Sequence, residues 1–276
     1  MADDRGVARH YTHGALLETI RSGLETLGKT PGAATIDDLA PVDEFHIGGR
    51  RASEAFLGRL PLNSSSHVLD VGCGLGGAAR LAADRFGCRV TGIDLTPEYV
   101  EVGKALCEWV GLSGRIDLRQ GSALDLPFED ALFDAAYMLH VGMNIPDKQG
   151  LFAEVARVLR PGATFGIYDV MRTGEGTLAF PVPWAEAPET SALAAPDDYR
   201  GALEAAGFAV AEARDRRDFA LEFFAALAAR TAAAEGPPPL GLHLLMGPTA
   251  KRKVANMVEN IEVGRIAPVE LIARKT

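Results

Sequence analysis

The stretch HVLDVGCGLGGAAR, residues 67–80, joins a short β-rich apolar run to a helical pattern through glycines at 72, 74, 76 and 77. A glycine-dense turn between a strand and a helix lets backbone approach a ligand closely and aims helix amides at it. Such a junction belongs to an α/β layout, and the rest of the central chain agrees with it. From residue 66 to 170, β-rich runs alternate with helical ones, the pattern of a parallel sheet covered by helices. The spacing predicts strands at 67–71, 89–94, 115–119, 133–139 and 163–169, with helices at about 76–86, 97–111 and 146–160. Thr96 stands as a capping hydroxyl before Pro97, Pro146 opens the third helix with Asn144 helping to start it, and Arg160-Pro161-Gly162 closes it.

The flanks carry different patterns. Leu16, Leu17, Ile20, Leu24 and Leu27 share one helical face that stops at Gly28, predicting a helical cap within residues 1–62 ahead of a domain over 63–276. Residues 172–196 hold four prolines in 25 positions and little periodicity, so 172–195 reads as an ordered lid. A helix at 196–206 and a strand at 208–214 follow, and residues 267–275 form a last strand. Between those two strands an insertion over 218–263, with an apolar helix, a Gly-Pro-Pro-Pro break and a further helix at 249–262, is too long for a hairpin and is a second lid candidate.

Composition bounds the function. The start MADDRGVARH has no apolar signal core and no stretch approaches a membrane span, so a cytoplasmic protein without membrane contact is expected. Cys73, Cys88 and Cys107 lie far apart without CxxC or Cys/His spacing, which predicts reduced thiols and no metal. A net charge of -9 argues against nucleic acid as a partner, although Lys251-Arg252-Lys253 could form a local basic patch.

The glycine loop fits two cofactor patterns. Gly72-x-Gly74-x-x-Gly77 is the dinucleotide spacing, whereas Asp70-x-Gly72-x-Gly74-x-Gly76 is that of an S-adenosylmethionine loop. A carboxylate two residues before the first glycine would repel a pyrophosphate but suits a ligand carrying an ammonium and a sulfonium. Asp94 ends the second strand 18 residues after Gly76, where a carboxylate can accept from both hydroxyls of a ribose, which either cofactor would supply.

Four segments in order, VLDVGCGLGG, VTGIDLTPEYV, GSALDLPFEDALFDAAYMLHV and LFAEVARVLRPGATFGIYDV, resemble the class I S-adenosylmethionine-dependent methyltransferases over about 105 residues. The resemblance implies a Rossmann-like seven-stranded sheet with the last strand antiparallel and helices on both faces. It assigns Asp70, Gly72, Cys73, Gly74, Gly76 and the Leu139 backbone to the methionine end of S-adenosylmethionine, Asp94 and Leu95 to ribose and adenine, and Ser122 and Ala123 to the adenine edge. Ser122 departs from the family, which often has an acid there. Outside the core, EFHIGG, the lid PVPWAEAP and the large insertion are similar to sarcosine/dimethylglycine and phosphoethanolamine methyltransferases, while an NPPY-like motif is absent after the fourth strand.

Several residues remain as candidates. His140, just past the fourth strand, stands where a catalytic group could orient or deprotonate a methyl acceptor, and as a base it would titrate near its ordinary value of about 6.5. Tyr11 and Gly48 are cofactor candidates in the cap; His46, Asn144 and Trp184 are substrate candidates, with Phe180 beside Trp184 in the lid, and a phenol or carbon acid as acceptor could use either His140 or His46 as its base. Phe223 and Phe224 read as core. The expected activity is methyl transfer to an N, O or C atom of a small molecule, and a homodimer is left open. A nicotinamide-dependent oxidoreductase and a non-catalytic S-adenosylmethionine-binding module stay open at this point.

Overall fold

The computed structural model describes residues 10–234 and 236–276, together with Gly6 and Ala8. At its centre seven strands run in the order β3-β2-β1-β4-β5-β7-β6. They are β1 (His67–Val71), β2 (Arg89–Asp94), β3 (Ile116–Gln120), β4 (Phe133–Leu139), β5 (Leu159–Arg172), β6 (Phe208–Asp215) and β7 (Ile266–Lys275). The first five pair in parallel, and β7 is antiparallel to both β5 and β6. This is the Rossmann-like seven-stranded sheet that the motif order implied.

Both faces of the sheet are covered, which explains the continuous apolar runs of its strands. Along β1, Leu69 and Val71 face one buried cluster and Val68 the other. The cap supplies α1 (Leu16–Thr26), α2 (Ile36–Asp43) and α3 (Gly49–Leu57); α4 (Gly77–Phe86) and α5 (Pro97–Trp109) follow β1 and β2, and α6 (Lys148–Val158) follows β4. Later come α7 (Pro196–Ala205), α8 (Arg217–Ala233) and α9 (Ala250–Glu262). On the first face Phe152, Val155 and Leu203 of α6 and α7 pack with Phe165, and on the second Phe56 and Leu57 of α3 pack with Ala79 and Tyr137. Each of these Phe, Leu and Val side chains removed from water contributes about 1.5–3 kcal/mol.

The cap and the insertions build two smaller cores. Leu16, Ile20 and Leu24 of α1 pack in one cluster with Val102 and Leu106 of α5 and with Leu240, while Leu27 is 49% exposed and does not complete the expected face. The second joins the 172–195 segment to α8 and α9 through Val182, Trp184, Phe224 and Met257, with Phe223 half-buried beside them.

Three local expectations are corrected. The helix expected at 146–160 begins at Lys148, because the Asp147 side chain accepts from the Gly150 amide at 2.8 Å and is the cap that Asn144 and Pro146 do not provide. It ends at Val158, so Arg160-Pro161-Gly162 lies at the start of β5. Thr96 makes no side-chain cap on α5; its amide instead donates to Asp94 at 2.9 Å. Among the described residues no helix is long and apolar enough to cross a membrane.

Candidate active site

The carboxyl ends of β1, β2 and β4 open into a cavity of about 1140 Å³, including its solvent-facing part. Open parallel sheets bind ligands at such a crevice, where strand order reverses about β1. The β1 end supplies Asp70, Gly72, Cys73 and Gly74; the β2 end supplies Asp94 and Leu95; Ser122 and Ala123 follow β3; Leu139 ends β4, with His140 and Asn144 after it; and Tyr11 and His46 come from the cap. These sequence candidates share one cavity. Gly72 has φ +72, and a Cβ there would sit 2.4 Å from Val141 Cγ2, so only glycine brings the loop this close to the β4 end.

Asp94 is arranged to hold a pair of donors. Its Oδ2 accepts from the Gly74 amide at 2.8 Å and its Oδ1 from the Thr96 amide at 2.9 Å, which spans the glycine loop and the start of α5. The Thr96 hydroxyl and the Leu95 amide also approach this carboxylate, which lines the cavity as an acceptor suited to vicinal hydroxyls. Burial raises its carboxyl above the usual range, against those amide bonds.

Asp70 is 2% exposed, and its Oδ2 accepts from Tyr137 Oη at 3.0 Å. Burial pushes its carboxyl up to about 8, against that hydrogen bond and with Asp94 and Glu44 adding to the rise. Burial therefore favours the protonated acid at Asp70 over the fixed negative charge read from sequence. A cation placed against it would restore the carboxylate.

Two histidines face each other across the cavity edge, with His46 and His140 ring centroids 5.9 Å apart. Burial drives the His140 imidazole well below its ordinary value, and His46 beside it pushes the same way, so His140 is neutral throughout the neutral range and the expected titration near 6.5 is corrected. Among the described residues its Nε2 is buried without a partner, and its backbone is left-handed at φ 55. His46 Nε2 lies 3.0 Å from Ser53 Oγ and 3.2 Å from the Gly49 carbonyl. Ser53 donates to Glu44 Oε2 at 2.5 Å, and Arg50 donates to Glu44 Oε1 at 2.7 Å. Tyr11 crosses the opening and donates to Asn144 Oδ1 at 3.3 Å.

Three sequence candidates lie outside the cavity wall. Gly76 is the left-handed residue before α4. Gly48 lets Phe219 of α8 pack against the cap, since a Cβ there would sit 2.4 Å from the ring. Trp184 is 3% exposed in the second satellite core, with its Nε1 donating to Ser191 Oγ at 2.9 Å. Conversely, Asp43, Phe45, Tyr99 and Leu245 line the cavity without having been singled out. Asp43 is paired with the fully buried Arg80 of α4, tying the end of α2 to the glycine loop. Its neighbours in PVDEFHIGG offered a signal; nothing in the insertion's pattern marked Leu245.

A family model described as a methyltransferase domain matches residues 69–167. The chain is 31% identical over 205 residues to O-methyltransferase cnsE of Penicillium expansum, covering 73% of each chain. It is 36% identical over 117 residues to sterol 4-C-methyltransferase strm-1 of Caenorhabditis elegans, covering 42% of this chain and 35% of that one. Matches to this and to other curated sterol and tocopherol methyltransferases take in 26–35% of their lengths. In fold, the chain is similar to geranyl diphosphate C-methyltransferase from Streptomyces coelicolor A3(2), with a TM-score of 0.73 at 18% identity over 99% of this chain and 98% of that one. A similar likeness, TM-score 0.70 at 23% identity over 99% and 96%, joins it to the [4+2]-cyclase SpnF.

Proposed function

Since the chain belongs to the S-adenosylmethionine-dependent methyltransferases, we propose that it transfers a methyl group from S-adenosylmethionine to a small-molecule acceptor held between the cap and the β4 end. The observation that carries this reading is the pair of buried acids at adjacent strand ends, Asp94 tied to the Gly74 and Thr96 amides and Asp70 accepting from Tyr137, both lining one cavity. Together they fit a ligand with a ribose diol at one end and an ammonium at the other.

When bound, S-adenosylmethionine supplies an electrophilic methyl carbon on a sulfonium whose charge is lost on transfer. In this reading Asp94 holds the ribose hydroxyls, Asp70 the α-ammonium, and the Gly72–Gly74 backbone the methionine end. Leu95, Ser122 and Ala123 flank the adenine. Tyr11, His46, His140 and Asn144 surround the acceptor side, where alignment of the attacking atom and exclusion of water lower the barrier. In this reading the 1–62 cap and Leu245 of the 218–263 insertion close over the reacting groups, and segment 172–195 braces that insertion from outside the cavity wall. Trp184 then acts by anchoring the 172–195 segment rather than by touching substrate.

The test is calorimetry with S-adenosylhomocysteine and NADH, followed by a metabolite panel scored for S-adenosylhomocysteine release. Micromolar binding of S-adenosylhomocysteine, no response to NADH and turnover of at least one acceptor are expected. Binding without any turnover would favour a non-methylating role, and NADH binding alone would overturn the reading.

A further inference from the structure

The side-chain network behind His46 makes no hydrogen bond to Asp70 or Asp94, and its hydrogen atoms can be assigned. Glu44 accepts from Arg50 at Oε1 and from Ser53 at Oε2, so the Ser53 hydroxyl hydrogen is committed to Glu44. Ser53 Oγ can then only accept from His46 Nε2, and the Gly49 carbonyl at 3.2 Å is likewise an acceptor. Both contacts require the hydrogen on Nε2, and they leave Nδ1 with the basic lone pair. Behind the ring, Glu44 Oε2 lies 3.5 Å from Nε2, with the Glu44 side chain 1% exposed. Among the described residues His140 has no such support, since its Nε2 is buried without a hydrogen-bond partner.

We propose that His46 is the proton acceptor of the reaction, oriented by Ser53 and Glu44, and that the methyl acceptor is a hydroxyl acid of the phenol or enol class. The inference rests on the methyltransferase reading and deepens it. The acceptor oxygen's lone pair forms the C–O bond, the C–S bond breaks with its electron pair passing to sulfur, and the oxygen's proton goes to Nδ1. The products are a methyl ether, S-adenosylhomocysteine and an imidazolium, which returns its proton to solvent. An amine attacks through its own lone pair and needs no base at the moment of transfer, so a buried carboxylate–serine–imidazole relay would serve it no purpose. The arrangement parallels the logic in which a carboxylate fixes an imidazole's tautomer and stabilises its cation, here through an intervening hydroxyl.

Groups facing His46 are Asp43 and Glu44 from its own segment, Arg50 and Ser53 on α3, His140 after β4 and Tyr168 on β5. Burial pushes its imidazole down to about 4, partly offset by the Gly49 carbonyl and Asp43, so the lone pair is vacant through the neutral range. Methylation makes the acceptor's proton strongly acidic, and a weak base then suffices.

The experiment combines ¹⁵N-histidine NMR of the S-adenosylhomocysteine complex with turnover of 4-nitrophenol, 4-cyanophenol and catechol against the matching anilines. Expected are an Nε2–H tautomer for His46 that the Gly49 carbonyl keeps in Ser53→Ala, phenol turnover, and a kcat lowered by about 10²–10⁴-fold in His46→Gln, which keeps a donor toward Ser53. Glu44→Gln should lower kcat and shift the His46 titration, with the KM for the acceptor within about threefold. An Nδ1–H tautomer, preference for anilines, or wild-type kcat in His46→Gln overturns the proposal. Failure of the wild type to bind S-adenosylhomocysteine would instead remove the reading beneath it.

Discussion

Asp70 gives the site a proton signature that can be worked out in advance. A carboxyl titrating at about 8 is about nine-tenths protonated near pH 7. If the ligand's ammonium returns it to the ordinary range near 4, binding at that pH must release about 0.9 proton per site. The sign follows from counting: the complex holds fewer protons than the free protein, so protons compete with the ligand. Affinity for S-adenosylhomocysteine should therefore weaken by about tenfold for each unit that pH falls between about 8 and 4, with some four decades as the upper bound. Calorimetry in phosphate and in Tris, whose ionisation enthalpies differ, reads the proton count from the difference in apparent heat. Asp70→Asn should abolish the release and flatten the pH dependence while weakening binding. Tight wild-type binding near pH 7 with no proton transferred would refute the pairing of Asp70 with a cation.

The same acid bears on stability. Its folded value lies above the unfolded value of about 3.9, so its favourable contribution is full below that and is lost as pH rises through about 8; Asp70→Asn should raise the unliganded Tm near pH 8 relative to wild type, by differential scanning fluorimetry. Asp94→Ala should weaken S-adenosylhomocysteine binding by about 10- to 100-fold in a folded protein, since a charge-assisted bond is worth about 1.5–3 kcal/mol; unchanged affinity would move the ribose elsewhere. Trp184→Ala opens a cavity in the second satellite core and should cost about 3–5 kcal/mol of stability by urea denaturation while leaving cofactor affinity within a few fold; a selective loss of acceptor binding would return Trp184 to the site.

The sheet and the cofactor end of the cavity were legible because their constraints are local. A glycine at a positive φ, an acid at a strand end and a proline at a helix start each mark their own position, and β1, β2 and β4 lie where the alternation placed them. What escaped was set by distant partners. Thr96 had the form of a helix cap, yet Asp94 takes its amide. Trp184 had the composition of a pocket wall, yet residues of α8 and α9, some 40 and 70 positions on, bury it. Ionisation was the least legible property. Asp70 and His46 have the ordinary titration of their types in sequence, and only burial moves one to about 8 and the other to about 4.

Strand β7 lies between β5 and β6, its residues from Ile266 to Arg274 paired with Arg172 back to Thr164 on one side and with β6 on the other. On a ribosome this slot is filled after every other strand has emerged. Until then β5 and β6 present raw edges, the kind that recruit other chains into aggregates. The cavity wall tells the opposite story, since apart from Leu245 every residue in it precedes Pro146. The half of the molecule that would greet the cofactor is thus synthesised first, while the half that seals the sheet against misassembly arrives last. Nascent chains halted before residue 266 should carry a nearly complete nucleoside crevice on a scaffold still open to wrong partners, and a chaperone that shields strand edges would matter most during that interval.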